Sequence, residues 1–158
     1  MENTKIIPLS DWKEQRQSSD STVLVGGCFD IFHYGHLHFL KESRNMGKAL
    51  IVLLESDEFI RSRKGHEPYH SQQQRAELLA ELDCVSAVIL LPLLSTDQEY
   101  ADIVRSIQPH TIAVTEGDSF ISHKRTYAQE VGATVREIPL LPQFSTTHVK
   151  SNATITND

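Results

Sequence analysis

From residue 22 onward the chain switches repeatedly between two patterns of apolar and polar positions. STVLVGG, ALIVLLE, SAVILLP and TIAVT are short, largely apolar runs, and the more mixed TVREIPL reads as a last strand. Runs of this length without polar alternation predict strands covered on both faces. Between them lie segments with helical spacing. GHLHFLKESRNMG closes on Gly47, and SQQQRAELLAELD opens with Ser71 and, three residues on, Gln74. TDQEYADIVRSIQP repeats that opening with Thr96 and Glu99 and stops at Pro109, and HKRTYAQEVG ends on Gly132. Paired start signals of this kind satisfy the orphan NH groups of a first helical turn. SDEFIRSR predicts a short helix and RKGHEPYH a loop.

Strands that alternate with helices and are apolar on both faces predict a parallel sheet with right-handed crossovers and helices on both sides. The expected fold is a single Rossmann-like α/β domain with about five strands, spanning residues 21–150. Residues 1–20 are predicted to be a polar leader, with KIIPL and Trp12 as its packing points, and residues 151–158 a frayed tail. In open sheets of this class ligands bind beyond the carboxyl ends of the strands. The GGCFD segment, the turn at 115–118 and the segment after the last strand all follow strands and are expected to converge there.

Composition narrows the function. The chain has 158 residues, 39% hydrophobic, which suits one domain. ALIVLLE and AVILLPLL, its longest apolar runs, are far short of the ~20 residues that cross a bilayer, and the start shows no signal-peptide pattern. A net charge of −6 without a long basic run argues against a nucleic-acid surface. Cys28 and Cys84 fit neither a disulfide framework nor a CxxC motif. The expectation is a reduced, cytoplasmic protein without membrane or nucleic-acid partners. One basic cluster stands out: Arg61, Arg63, Lys64 and His66, followed by His70 and Arg75.

The densest chemistry lies in VLVGGCFDIFHYGHLHFL, where His33, His36 and His38 fall within six positions. Three readings apply. A metal site would use the three imidazoles, but no HExxH or CxxC accompanies them. A structural reading makes them cap and packing residues. A phosphate site uses Gly26 and Gly27 for close backbone approach and Gly35 at the helix start. The free NH groups and partial positive charge of that helix end favour an anion, and His33 and His36 lie within one turn to donate to phosphate oxygens. The unbroken order strand, Gly-Gly, Asp, His-x-Gly-His, helix favours the third reading.

GGCFDIFHYGH closely resembles the GxFDxxHxGH block of the cytidylyltransferase-like nucleotidylyltransferases. RKGHEPYHSQQQR is similar to their K-G-x-x-P loop with its helix-borne Arg, and LLPQFSTT to their late STT element. The likeness runs from about residue 22 to 148 and is strongest toward the adenylyltransferase half of the bifunctional heptose-phosphate kinase/adenylyltransferases of lipopolysaccharide synthesis. Glycerol-3-phosphate cytidylyltransferase and archaeal FAD synthetase are neighbouring alternatives.

The resemblance implies transfer of a nucleoside monophosphate from ATP or CTP to a phosphorylated metabolite, foremost a sugar 1-phosphate, with release of pyrophosphate. Mg²⁺ would travel on the triphosphate rather than in a protein cage, and relatives of this kind are often homodimers. It makes His33, His36 and Lys64 the catalytic groups. The nucleotide would be held by Gly26, Gly27, Cys28, Phe29, Gly35, Gly117, Asp118, Ser145, Thr146 and Thr147. The acceptor phosphate would meet Asp30, Lys64 and Arg75, with Tyr69 and His70 beside them; His38 is expected on the helix surface. Two departures bear on substrate: TEGDS replaces the usual GGD or GDD, and Leu140 stands where glycerol-phosphate cytidylyltransferases carry Arg.

Overall fold

A computed structural model describes residues 3–12 and 21–144. Its elements run β1 (Ile6–Pro8), α1 (Leu9–Trp12), β2 (Thr22–Gly27), α2 (Tyr34–Arg44), β3 (Ala49–Leu54), α3 (Asp57–Phe59), α4 (Gln72–Ala80), β4 (Ala87–Leu90), α5 (Asp97–Ile107), β5 (Thr111–Thr115), α6 (Ile121–Val131) and β6 (Thr134–Ile138). The helix begun by α3 continues as a π-helical turn through Ile60–Lys64 and ends at Gly65, whose φ of 72° is left-handed. Both paired start signals form: Ser71 and Gln74 open α4, and Thr96 and Glu99 open α5.

The sheet has six strands, all parallel, in the order β1-β4-β3-β2-β5-β6. The additional strand comes from the expected leader: Ile6 and Ile7 pair with Val88 and Ile89 at the edge. Three residues are too few to show a strand period, which is why IIP reads only as a packing point. Ile7 and Trp12 are buried, as their apolar character predicts.

Alternation along the strands separates two cores. Val23 and Val25 of β2, with Leu50, Val52 and Leu54 of β3, face Phe39, Leu40, Ala76 and Leu79 of α2 and α4. Leu24, Ile51 and Leu53 face the other way, toward Ile103, Val104, Ile107 and Ala128 of α5 and α6. Among the described residues no helix is long and apolar enough to cross a membrane.

One feature of the register places the site. β2 pairs with β3 along its whole length, from Thr22 to Gly27. With β5 it pairs only at Val23 and Leu24. The chain runs outward from β2 toward one edge and returns through β5 toward the other, so the two strands diverge where the direction of winding reverses. A crevice therefore opens at their carboxyl ends.

Candidate active site

The crevice contains two cavities that share the end of β2. The first, of about 440 Å³, lies on the α2 side and is lined by Gly26, Gly27, Cys28, Phe29, Asp30 and the start of α2, with Lys64 and His66 across from them. The second, of about 740 Å³, lies toward α5 and α6. Gly26, Gly27, Cys28, Lys64, Ala113, Asp118 and Lys124 line both.

The turn after β2 is tightly specified. Phe29 has a left-handed backbone (φ 48°), an uncommon conformation for a residue with a side chain. It buries its ring beside His36, with centroids 5.1 Å apart. A Cβ on Gly27 would sit 3.0 Å from that ring, so glycine leaves room for it. At the helix start the constraint is harder: a Cβ on Gly35 would lie 2.5 Å from the backbone oxygen of Phe144 and 2.9 Å from the His33 ring. No side chain fits there without moving backbone.

His33 is the N-cap of α2, and its ring stacks on that of His36 at 3.8 Å. The backbone NH of His33 donates to His36 Nδ1 at 3.4 Å. That fixes Nδ1 as the acceptor, so the neutral ring carries its hydrogen on Nε2. Burial, reinforced by His33 and Lys64, pushes the His36 pKa down to about 3. The ring is therefore neutral at pH 7, with one NH available to donate. Burial lowers His33 as well, and its Nδ1 is buried without a partner among the described residues.

Asp30 ties the first cavity to the loop that carries Lys64. Its Oδ1 accepts from the backbone NH groups of Tyr69 and His70, at 2.9 and 3.2 Å. Its Oδ2 is buried and has no hydrogen-bond partner among the described residues. Asp118 accepts from the Phe120 NH and from Lys124 Nζ, both at 2.7 Å. Burial raises the Cys28 thiol above its ordinary range, so it remains a thiol at neutral pH.

Several expectations change. Arg75, expected to meet the acceptor phosphate, is wholly buried and lines neither cavity. Its Nη1 donates to the carbonyls of Cys28 and Glu55, Nε to that of His70, and Nη2 pairs with Asp57 at 2.7 Å. A buried guanidinium requires such partners, and here they join the β2 turn, the end of β3 and the Lys64 loop. Gly117 lies in the turn after β5 with φ 78° and borders neither cavity. Tyr69 and His70 also stand outside both, whereas His38 reaches the wall of the first. Ser145, Thr146 and Thr147 lie outside the described residues. Among those described, no three His, Cys, Asp or Glu side chains are arranged to hold a metal.

The residues that sequence reasoning missed are in the second cavity. Glu55 is 9% exposed and its Oε1 accepts from Tyr100 Oη at 2.7 Å. Burial raises the Glu55 carboxyl, and the Tyr100 bond partly opposes that shift. Burial and the carboxylate raise the Tyr100 phenol above its usual range, so it stays a donor. The signals were present. Glu55 is a charge closing an apolar strand, and Tyr100 shares the stripe of Ile103, Val104 and Ile107 on α5.

Comparison with known proteins agrees with this geometry. The family model described as cytidylyltransferase-like matches residues 24–157. The FAD synthase of Thermococcus onnurineus is 36% identical over 68% of this chain and 69% of its own length. The bifunctional protein HldE of Koribacter versatilis is 32% identical over 84% of this chain but only 27% of its own length. The chain thus spans about two-thirds of the first relative and about a quarter of the second. A lipopolysaccharide core biosynthesis protein from Thermoplasma volcanium superposes with a TM-score of 0.61 at 28% identity, over 75% of this chain and 94% of the other. A pantoate-beta-alanine ligase from Francisella tularensis (TM-score 0.60, 12% identity) covers 95% of this chain and 77% of its own and shares the fold. The motif block, the crevice beside it and the family match together make this chain a member of the cytidylyltransferase-like family of nucleotidyltransferases.

Proposed function

We propose that the protein transfers a nucleoside monophosphate, AMP ahead of CMP, from a nucleoside triphosphate to the phosphate of a small metabolite, foremost a sugar 1-phosphate, and releases pyrophosphate. The observation that carries this reading is the sharing of Lys64 by two cavities, one of them walled by the stacked His33–His36 pair. In it the triphosphate occupies the first cavity at the start of α2, where backbone NH groups and the helix dipole favour an anion. The acceptor phosphate enters from the second and attacks the α-phosphorus, and the bond to the β-phosphate oxygen breaks.

The attacking oxygen is already anionic, so no protein nucleophile is required, and the work of the chain is positioning and charge neutralisation. His36 donates from Nε2 and His33 stacks beside it; Lys64 neutralises charge at the seam. Ser145, Thr146 and Thr147 keep the phosphate-capping role that the resemblance implies. A bound Mg²⁺ would supply further neutralisation of phosphate charge. The residue that fits it is Asp30, whose buried Oδ2 has no other partner among the described residues.

FAD contains an AMP unit, so the 36% identity to a FAD synthase favours ATP and supports a second acceptor, flavin mononucleotide. Pyrophosphate release, measured with ATP and CTP against sugar 1-phosphates, glycerol 3-phosphate and flavin mononucleotide, decides among them. The expected result is release with ATP and a sugar 1-phosphate. Release with flavin mononucleotide alone would replace the acceptor, and none with any pair would overturn the transferase reading.

A further inference from the structure

Glu55 is held firmly and left incomplete. Its backbone NH donates to Gly27 O at 3.0 Å and its carbonyl accepts from Arg75 Nη1 at 2.9 Å, so its position at the end of β3 is set from both sides. Strand alternation turns its side chain to the α5 face, where Tyr100 takes Oε1. Oε2 is buried and has no partner among the described residues. Glu55 lines the second cavity, and an unsatisfied buried acceptor beside a cavity is completed by a donor from the ligand.

The surroundings define that donor. Phe59, Tyr100, Phe120 and Tyr127 give the cavity flat apolar walls, while Arg63 and Lys64 bring positive charge to it. A phosphate would be repelled by Glu55 and drawn to Lys64, so the two ends of an acceptor are sorted by charge. The part reaching Glu55 must carry no negative charge and offer a hydrogen-bond donor, which a hydroxyl supplies, with carbon faces that lie against aromatic rings. A sugar phosphate has all three properties.

We propose that Glu55, positioned by Tyr100, recognises the acceptor by accepting a hydrogen bond from one of its hydroxyl groups, and that the second cavity takes the polyhydroxylated body of a sugar phosphate. This rests on the nucleotidyl-transfer reading for the role of the ligand, but the contact itself is a binding property.

Calorimetric titration tests it directly. Hexose and heptose 1-phosphates, their single-deoxy analogues and flavin mononucleotide are titrated into the wild type, Glu55→Ala and Tyr100→Phe. A non-hydrolysable triphosphate is present throughout, and its own affinity reports that the fold is kept. Expected is binding of a sugar phosphate that weakens at least tenfold in Glu55→Ala and about threefold in Tyr100→Phe, with triphosphate affinity within twofold. One deoxy analogue loses affinity for the wild type and loses nothing further in Glu55→Ala. Glu55-dependent binding of flavin mononucleotide and of no sugar phosphate overturns the proposal, since it assigns the cavity to a flavin. Equal sugar affinity in Glu55→Ala, or no sugar binding to the wild type, overturns the proposal. Pyrophosphate release measured in parallel separates the two readings: Glu55-dependent binding without release sinks the transferase reading alone.

Discussion

The smaller cavity takes its glycines and its stacked imidazole pair from one unbroken stretch, from Gly26 to His36, whereas the larger is assembled from β2, β3, α3, α5 and α6. Their contents differ accordingly. The first offers backbone NH groups, glycines and imidazoles, which in the proposed reaction suit a triphosphate whatever nucleoside it carries. The second offers a carboxylate, aromatic rings and aliphatic side chains, which suit one acceptor and reject others. In the proposed reaction, continuous sequence thus encodes the half of the site set by phosphate chemistry, and scattered side chains encode the half set by substrate shape. Lys64 belongs to both, and Arg75, touching no cavity, fixes the turn and strand end from which both are built.

The largest way to break this comparison is to remove that common support. Arg75→Ala leaves Asp57 and the carbonyls of Cys28, Glu55 and His70 without their donor, a loss on the order of 3–5 kcal/mol of folding stability. Arg75→Lys is expected to recover little, because one ammonium cannot span a planar fork of acceptors. Urea unfolding of the two variants checks this. Near-wild-type stability in Arg75→Ala would return Arg75 to the role of a dispensable or substrate-facing residue.

The same division explains what the sequence made legible. Five strands and the major helices follow from apolar runs and start signals, and the glycine-rich turn after β2 follows from local spacing. The edge strand IIP does not, because three residues carry no period and their pairing with β4 is a long-range fact. Arg75 misleads for a related reason. On α4 it sits among Gln72, Gln73 and Gln74, and only the fold brings four oxygen acceptors around it. Glu55 and Tyr100 are separated by 45 residues and become one feature when β3 and α5 meet.

A second test acts on the first cavity alone. His36→Ala removes the Nε2 donor and is expected to lower turnover at least 100-fold, corresponding to about 2.7–4 kcal/mol of barrier. Acceptor affinity measured with the triphosphate analogue present should change little, since His36 borders only the first cavity. Pyrophosphate release and acceptor titration together provide the check. A variant with normal turnover, or one whose principal defect is acceptor binding, would erase the division between the cavities.

The smallest effect sharpens the comparison through pH, because the two cavities hold groups displaced in opposite senses. The folded-state pKa of His36 is depressed from 6.5 to about 3. Between those values the unfolded chain binds a proton that the native chain does not, so stability falls on acidification, by about 1.4 kcal/mol per pH unit. From pH 6.5 to 5 that amounts to about 2 kcal/mol. Burial raises the Glu55 carboxyl above its ordinary value of 4.5. Above that pH the native chain holds the extra proton, so its contribution is present at low pH and is lost as pH rises through the folded value. Acidification thus weakens the protein through His36 and strengthens it through Glu55. Urea midpoints at pH 7 and 5 should therefore show a smaller acid loss in His36→Asn than in the wild type, and a larger one in Glu55→Gln. Shifts in the same direction for both variants would mean that the two buried groups do not titrate with the opposed displacements their surroundings impose.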